Sequence, residues 1–275
     1  MTVPSFKEFD EIYQHCVTEI WPYWSEEMQL QIARHCAAWA PGRIDFLEYL
    51  RLSSVRFYKA FCHLSAGGGR SLCDLGGFWG VWPMTAKRLG YDVAMTESLR
   101  FYGRSFDPLF DQIRKGGVEI YDYDPFSPEQ APMGKFDLVT AMAVLEHYPH
   151  SLRTFVENAK QLTAGNGRLY FEVPNIAYWP KRTALIRGES PLPRIRDIYA
   201  SEEPFIGHHH EFTISELREL ADMADLRVIA EEYFNYTLEN TNKVKLTLRH
   251  PIMSAAFWAS RESRECIAIL CEQYT

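Results

Sequence analysis

From residue 70 onward the chain alternates short apolar runs with longer segments of helical period. The runs at 70–75, 91–96, 118–122, 136–141 and 168–173 read as buried strands, and the stretches 81–89, 101–115 and 151–162 between them read as helices. Strands that are apolar on both faces and alternate with helices build a parallel sheet covered on both sides. A helix from Ser215 to Ala224, a strand at 226–234 and a last strand from Cys266 to Cys271 complete a seven-stranded α/β layer. Thr213 and Glu216 have capping-box spacing at the start of that helix. Residues 1–66 carry helical period only. Phe6, Phe9, Tyr13, Val17 and Ile20 share one face, a second helix covers 25–39, and Pro41-Gly42 breaks it. A third helix runs to about residue 64 with Phe46, Leu50, Phe57 and Phe61 among its apolar positions. The pattern divides the chain into a helical cap at 1–66 and an α/β domain at 67–275. Residues 174–212 interrupt the alternation with five prolines and a basic-aromatic composition, and read as an inserted lid.

At 275 residues and 47% hydrophobic, the chain suits one large α/β domain with an added cap. A net charge of −7 argues against a broad nucleic-acid footprint. Cysteines at 16, 36, 62, 73, 266 and 271 form no C-x-x-C pair and read as reduced thiols, so a cytoplasmic protein is expected. No basic-then-apolar leader and no run near 18 apolar residues is present, which excludes an expected membrane span. Assembly is left open, a homodimer included.

The chemistry concentrates first at 71–97. Ser-Leu-Cys-Asp-Leu-Gly-Gly-Phe-Trp-Gly is a strand entering a glycine turn, and the following strand ends on Glu97, about 20 residues beyond the turn, where an acid can accept hydrogen bonds from ribose hydroxyls. Asp74 closes the first strand where a dinucleotide would place its pyrophosphate, and it would repel phosphate. Gly76, Gly77 and Gly80 do not fit G-x-G-x-x-G. S-adenosylmethionine (SAM), with ribose, ammonium and sulfonium but no phosphate, suits the turn better.

These residues resemble the first motif of the class I SAM-dependent methyltransferases, D-x-G-x-G-x-G. Asp74, Gly76 and Gly80 match, and Phe78 stands where the middle glycine is common. The segment Phe136-Asp137-Leu138-Val139 followed by Leu145-Glu146-His147 resembles the family's F-D-x-V and L-E-H run, and Glu172-Val173-Pro174-Asn175 an E-x-P-N strand ending seen in a subset. The resemblance covers about 70–271. It implies a Rossmann-like, doubly wound, seven-stranded sheet, mainly parallel with an antiparallel last strand. SAM is the implied cofactor and S-adenosylhomocysteine (SAH) the product. It places Asp74, Gly76, Gly77, Phe78 and Gly80 on the cofactor turn, Asp124 (with Asp122 in competition) near the adenine, and Ala141, Met142 and Ala143 beneath the cofactor. Glu146 and His147 fall at the mouth of the active site.

The acceptor side rests on weaker patterns. Glu172 and Asn175 lie at the carboxyl edge of the sheet, where open α/β sheets bind ligands, or else make the turn into the lid. Gly207-His208-His209-His210-Glu211-Phe212-Thr213 resembles the family's G-H-x-x-E-[FY]-[ST] run, and His208 or His210 becomes a candidate general base, with His147 a third catalytic candidate or a structural residue. No metal is expected there, because adjacent strand histidines face opposite ways and no second cluster in the sequence completes a site. Across residues 181–197 the lid carries Lys181, Arg182, Arg187, Arg194 and Arg196 against only Glu189 and Asp197. That is a local positive field for an anionic or sugar-phosphate acceptor, or a solvated loop. Tyr178, Trp179, Tyr199 and Phe205 supply flat surfaces for stacking or for anchoring the loop.

The reading is a methyltransferase moving the SAM methyl to an oxygen or nitrogen of a small, anionic or glycosylated metabolite. A NAD-dependent oxidoreductase and a catalytically inactive SAM-binding scaffold stay open as alternatives.

Overall fold

In the computed structural model, which describes residues 3–126, 134–148, 151–239 and 247–274, seven strands form one sheet. They are β1 (Ser71–Leu75), β2 (Asp92–Glu97), β3 (Glu119–Asp122), β4 (Phe136–Met142), β5 (Thr163–Pro174), β6 (Leu226–Phe234) and β7 (Cys266–Gln273). Their order is β3-β2-β1-β4-β5-β7-β6, and only β7 runs antiparallel to its neighbours. The order reverses at β1, which has β2 on one side and β4 on the other. In open α/β sheets this switch opens a crevice at the carboxyl ends of the strands.

Period-2 alternation feeds two separate cores. Cys73, Leu75, Val139, Ala141, Leu169 and Phe171 face one of them, packed against α7 (Leu152–Leu162) and α10 (Ile214–Met223). Leu72, Leu138, Met142 and Tyr170 face the other, which the N-terminal helices cover together with α5 (Val81–Arg88) and α6 (Asp107–Lys115). Polar residues of the same parity as this second set, Asp74, Thr140 and Glu172, therefore point toward the N-terminal helices.

Those helices are α1 (Phe6–Ile20), α2 (Glu26–Ala33), α3 (Phe46–Leu52) and α4 (Ser54–Ala66). A capping box between Ser5 and Glu8 starts α1, and its buried face of Phe9, Tyr13, Cys16, Val17 and Ile20 adds Cys16 to the expected stripe. The expected third helix is divided at Ser53. The Ser53 hydroxyl donates to the Tyr49 carbonyl at 2.8 Å, and such back-bonding to residue i−4 bends a helix.

Other boundaries also moved. The expected helix 101–115 shortens to α6, preceded by two 3₁₀ turns, with Pro108 in its first turn. Strand β5 begins at Thr163 instead of 168, because Thr163 pairs with Phe136 across an irregular register despite Gly165 and Gly167. The interruption at 174–212 contains α8 (Trp179–Ile186) and α9 (Ile195–Tyr199). Between β6 and β7 lie α11 (Tyr236–Glu239) and α12 (Pro251–Ala259), which the pattern did not announce. Of the turn-rich stretch Ser127 to Gly134, residues 127–133 lie outside the described set. The capping box of Thr213 and Glu216 is present at α10. All six cysteines are free. Among the described residues no helix is long and apolar enough to cross a membrane.

Gly80 ties the turn after β1 to α6. Its φ is +64°, and a Cβ there would lie 2.8 Å from carbons of the buried Ile113 side chain. Gly80→Ala combines a left-handed backbone with an overpacked core, and is expected to cost about 2–3 kcal/mol by urea unfolding. An unchanged midpoint and slope would show that α6 yields freely.

Candidate active site

The turn after β1 forms one end of a cavity of about 600 Å³. Gly76 and Gly80 take positive φ, and so does Phe78 at +37°, a conformation uncommon for a bulky side chain. Aromatic packing holds it: the Phe78 ring lies 4.1 Å from Trp79 and stacks on Tyr102 at 5.6 Å, centroid to centroid. Gly77 is tightly enclosed: a Cβ would stand 3.1 Å from both Asp74 Oδ2 and Met95 Cβ, so these neighbours would have to give by a few tenths of an ångström.

Asp74 is buried under this turn, and the Thr140 hydroxyl of the adjoining strand donates to its Oδ1 at 2.6 Å. Glu97, at the end of β2, is also buried. Its Oε1 accepts from the Phe78 N–H at 2.5 Å and its Oε2 from the Tyr102 hydroxyl at 2.8 Å. Burial pushes both carboxyls up to about 7, because a low-dielectric setting disfavours the charged form. Met142, the last residue of β4, and Ala143 just beyond it line the cavity, with Ala143 in a positive-φ turn whose N–H donates to the Glu172 carbonyl at 2.9 Å.

The N-terminal helices close the cavity from the opposite side with Trp39, Phe46, Tyr49 and Arg56. Arg56 is 3% exposed and forms an ion pair with Glu172, which is fully buried. Its Nη1 donates to the Tyr49 hydroxyl at 2.9 Å, and the guanidinium lies 5.0 Å from the centre of the Tyr236 ring. None of Arg56, Tyr49 and Tyr236 was singled out from the sequence. The one signal for Arg56 is its place in the apolar stripe Ser53, Arg56, Ala60, Leu64, where every residue is buried.

The far end of the cavity is built from two separated segments. Leu145–His147 forms a 3₁₀ turn after β4, and the loop 207–212 is strapped beside it by the N–H of His209 donating to the Glu146 carbonyl at 2.7 Å. Glu146 is fully buried, and neither carboxylate oxygen has a hydrogen-bond partner among the described residues. Burial raises its carboxyl to about 7. His147 Nδ1 bonds the Ile206 carbonyl at 2.6 Å, and burial lowers its imidazole to about 3, so it is neutral. His208 Nδ1 bonds Glu211 Oε1 at 2.8 Å, and Glu211 is also paired with Lys181. The rings of His147 and His208 meet edge to face at 4.8 Å. The sequence showed no second cluster beside the histidine run; in the fold Glu146 and His147 stand beside His208, with one ligating atom of each within 4.8 Å of the others.

Not every expected site residue reaches the cavity. Asp74, Gly76, Gly77, Phe78, Met142, Ala143, Glu146, His147, Tyr178 and His208 line it. Gly80 shapes the turn from behind, Glu97 lies beneath it, and Ala141 is buried within β4. Asp124 stands apart, paired with Arg100 at 2.9 Å and accepting from the Phe126 N–H, while Asp122 accepts from the Leu99 N–H.

For the acceptor residues the structure departs further. Asn175 takes the second of its two expected places, in the turn into the lid. Its amide donates to the carbonyls of Glu262 and Arg264, and its Oδ1 accepts from the Ala177 N–H, which uses its polar atoms inside the fold. One oxygen of Glu172 is bound to Arg56 beneath the cavity wall. His210 faces outward and pairs with Glu216 at 3.2 Å, so it is not brought to the other two histidines. Arg194 and Arg196 line a second hollow of about 520 Å³, which adjoins the first at Trp39 and His208.

The comparisons with known proteins agree with this architecture. Similar solved structures include a SAM-dependent methyltransferase from Mesorhizobium loti (TM-score 0.51, 15% identity, covering 78% of this chain and 97% of that one). A second is the magnesium protoporphyrin IX methyltransferase of Synechocystis with bound SAH (TM-score 0.51, 14% identity, 86% and 92%). A third is the 1,6-didemethyltoxoflavin-N1-methyltransferase of Burkholderia thailandensis, solved with its substrate and SAH (TM-score 0.50, 14% identity, 80% and 78%). At these identities the likeness concerns the fold. No curated protein sequence matches significantly. A family model described as methyltransferase domain matches residues 46–231, well over half of the chain. The chain thus belongs to the methyltransferase-domain family, among the class I SAM-dependent methyltransferases.

Proposed function

We propose that the protein transfers the SAM methyl to an oxygen or nitrogen of a small molecule bound between the glycine turn and His208. The observation that carries this reading is the continuity of the cavity, which runs from Asp74 and the Gly76–Phe78 turn at one end to Glu146, His147 and His208 at the other. The donor set fits SAM. Two buried carboxylates, Asp74 and Glu97, suit hydroxyl and ammonium donors, and the same carboxylates oppose a pyrophosphate, which disfavours a dinucleotide oxidoreductase.

When bound, SAM supplies a methyl group on a positively charged sulfur and leaves as SAH. The chain's part is alignment, charge and proton transfer. Glu97 holds the ribose hydroxyls, and Met142 and Ala143 support the cofactor from below. Trp39, Phe46 and Tyr49 shut water out from the cap side, residues 1–66, while the lid at 174–212 closes the other. Their flat faces favour an acceptor with a planar body. His208, oriented by Glu211 through Nδ1, takes the proton that the acceptor loses as its lone pair bonds to the methyl carbon. Arg194 and Arg196, in the adjoining hollow, meet an anionic or glycosyl-phosphate extension of the acceptor.

His208→Ala is expected to lower kcat by about 100-fold or more, the usual weight of a general base, with SAM affinity within about threefold of wild type. Calorimetry for the cofactor and a labelled-methyl assay over a panel of phenols, amines and carboxylates test it. Undiminished turnover removes His208 as the base. Tight SAH binding with no turnover on any acceptor favours a scaffold instead, and binding of NAD without SAM overturns the assignment.

A further inference from the structure

We propose that Glu146, His147 and His208 form a binding site for a first-row divalent cation of the zinc type at the acceptor end of the cavity. Two imidazoles and one carboxylate are a donor set for such ions, and are too nitrogen-rich for magnesium or calcium. The three residues come from two segments about 60 positions apart in sequence, and the fold brings one ligating atom of each within 4.8 Å of the others.

The surroundings of the histidines support the assignment. His147 engages the Ile206 carbonyl through Nδ1, and His208 engages Glu211 through Nδ1. A hydrogen bond of this kind at one ring nitrogen places the proton there and turns the lone pair of the other nitrogen outward, as the outer partners of metal-bound histidines do. His147 Nε2 then stands 3.9 Å from Glu146 Oε1.

Glu146 provides the independent observation. It is fully buried, and neither oxygen has a hydrogen-bond partner among the described residues. The cationic side chains nearest in the cavity are engaged elsewhere, Arg56 with Glu172 and Lys181 with Glu211. A buried carboxylate left without a donor is costly, and a cation satisfies it directly. Ligating atoms in a tetrahedral zinc site lie about 3.4 Å apart, so the ion draws the three side chains inward.

Three protein ligands would leave one coordination position open, and all three residues line the cavity. On the methyltransferase reading above, that position takes an acceptor oxygen. Bound there, the ion would lower the pKa of a coordinated hydroxyl, whose proton would pass to water. Its oxygen lone pair then forms the bond to the methyl carbon as the C–S electron pair returns to sulfur. In the ion-loaded protein the free nitrogen of His208 is thus a ligand, and in the ion-free protein it is the base.

The test is titration of chelator-stripped protein with Zn²⁺ by calorimetry and with Co²⁺ by visible absorption. One ion per chain is expected, with the intense d–d bands of a low-coordinate nitrogen and oxygen site for cobalt. Glu146→Gln and His208→Asn should each weaken zinc binding by about 100-fold or more, and Glu211→Gln by about 10–100-fold through the orienting hydrogen bond. Thermal melting identifies which variants are folded. Absence of one-to-one binding in wild type overturns the site, as does binding that survives both ligand substitutions. SAH titration of the same preparation separates the two proposals. SAH binding without zinc binding removes the metal and leaves the cofactor assignment, whereas zinc binding without SAH binding removes the methyltransferase reading and leaves the ion site.

Discussion

Glu97→Ala is expected to weaken SAM binding by well over tenfold. Hydrogen bonds to a charged acceptor contribute about 1.5–3 kcal/mol each, and two ribose hydroxyls lose theirs together. Each carboxylate oxygen of Glu97 already accepts one hydrogen bond, from the Phe78 N–H and the Tyr102 hydroxyl, so ribose hydroxyls would share these oxygens or compete with the Tyr102 hydroxyl for them. Tyr102→Phe removes the competing hydroxyl and is expected to leave affinity equal or tighter, which distinguishes ribose recognition from simple damage to the turn. Equal affinity of Glu97→Ala and wild type by calorimetry would refute the ribose role.

The same carboxyl carries a pH signature. Burial raises Glu97 to about 7 from an ordinary 4.5, so the folded chain holds its proton where the unfolded chain has released it. The contribution of Glu97 to stability is therefore fully present below the ordinary carboxyl range and declines as pH rises toward 7. Cofactor binding has the opposite sign, because hydroxyl donors favour the carboxylate. SAM affinity should rise between about pH 5.5 and 7.5 and level off above, with protons released on binding. Calorimetry in buffers of different ionisation heat measures that release, and a flat profile with no release would mean the carboxyl is already ionised in the free protein.

Arg56→Leu is expected to destabilise the protein by about 3–5 kcal/mol, since it strands the Glu172 carboxylate in a buried, unpaired state. The double variant Arg56→Leu/Glu172→Leu should recover most of that loss, because burying two apolar groups avoids both desolvation penalties. Urea unfolding of the two single variants and the double variant measures the coupling. A double variant no more stable than Arg56→Leu would show that the pair is not the source of the effect. The pair joins α4 to β5, so it also fastens the N-terminal helices over the cavity.

The strands and the cofactor end were legible for a local reason. β1, the glycine turn and β2 are contiguous, and the chemistry of Asp74, the turn and Glu97 depends on spacing within 27 residues. Asp74, Thr140 and Glu172 share a face by strand parity alone. The capping box at α10 and the motif at Leu145–His147 likewise sit within single elements.

What the sequence left open depends on contacts between distant segments. Asn175 looked available for a ligand, but its partners Glu262 and Arg264 lie almost 90 residues away. His208 and His210 were both open as the base in sequence, and only packing decides that His208 meets His147 while His210 turns toward Glu216. Arg194 and Arg196 are basic in any conformation, but α9 carries them to the adjoining hollow.

The sequence by itself determined the α/β sheet, the order of its strands along the chain, the glycine turn after β1 and the acid that ends β2. Hydrophobic period, glycine positions and carboxylate spacing act within one or two elements and need no distant partner. Only the tertiary structure decided which residues meet at the far end of the cavity. The Arg56–Glu172 pair, the roof of Trp39 and Phe46, and the grouping of Glu146 with His147 and His208 all form between segments far apart in the chain. Their geometry is set by how the helices and the 207–212 loop close over the sheet.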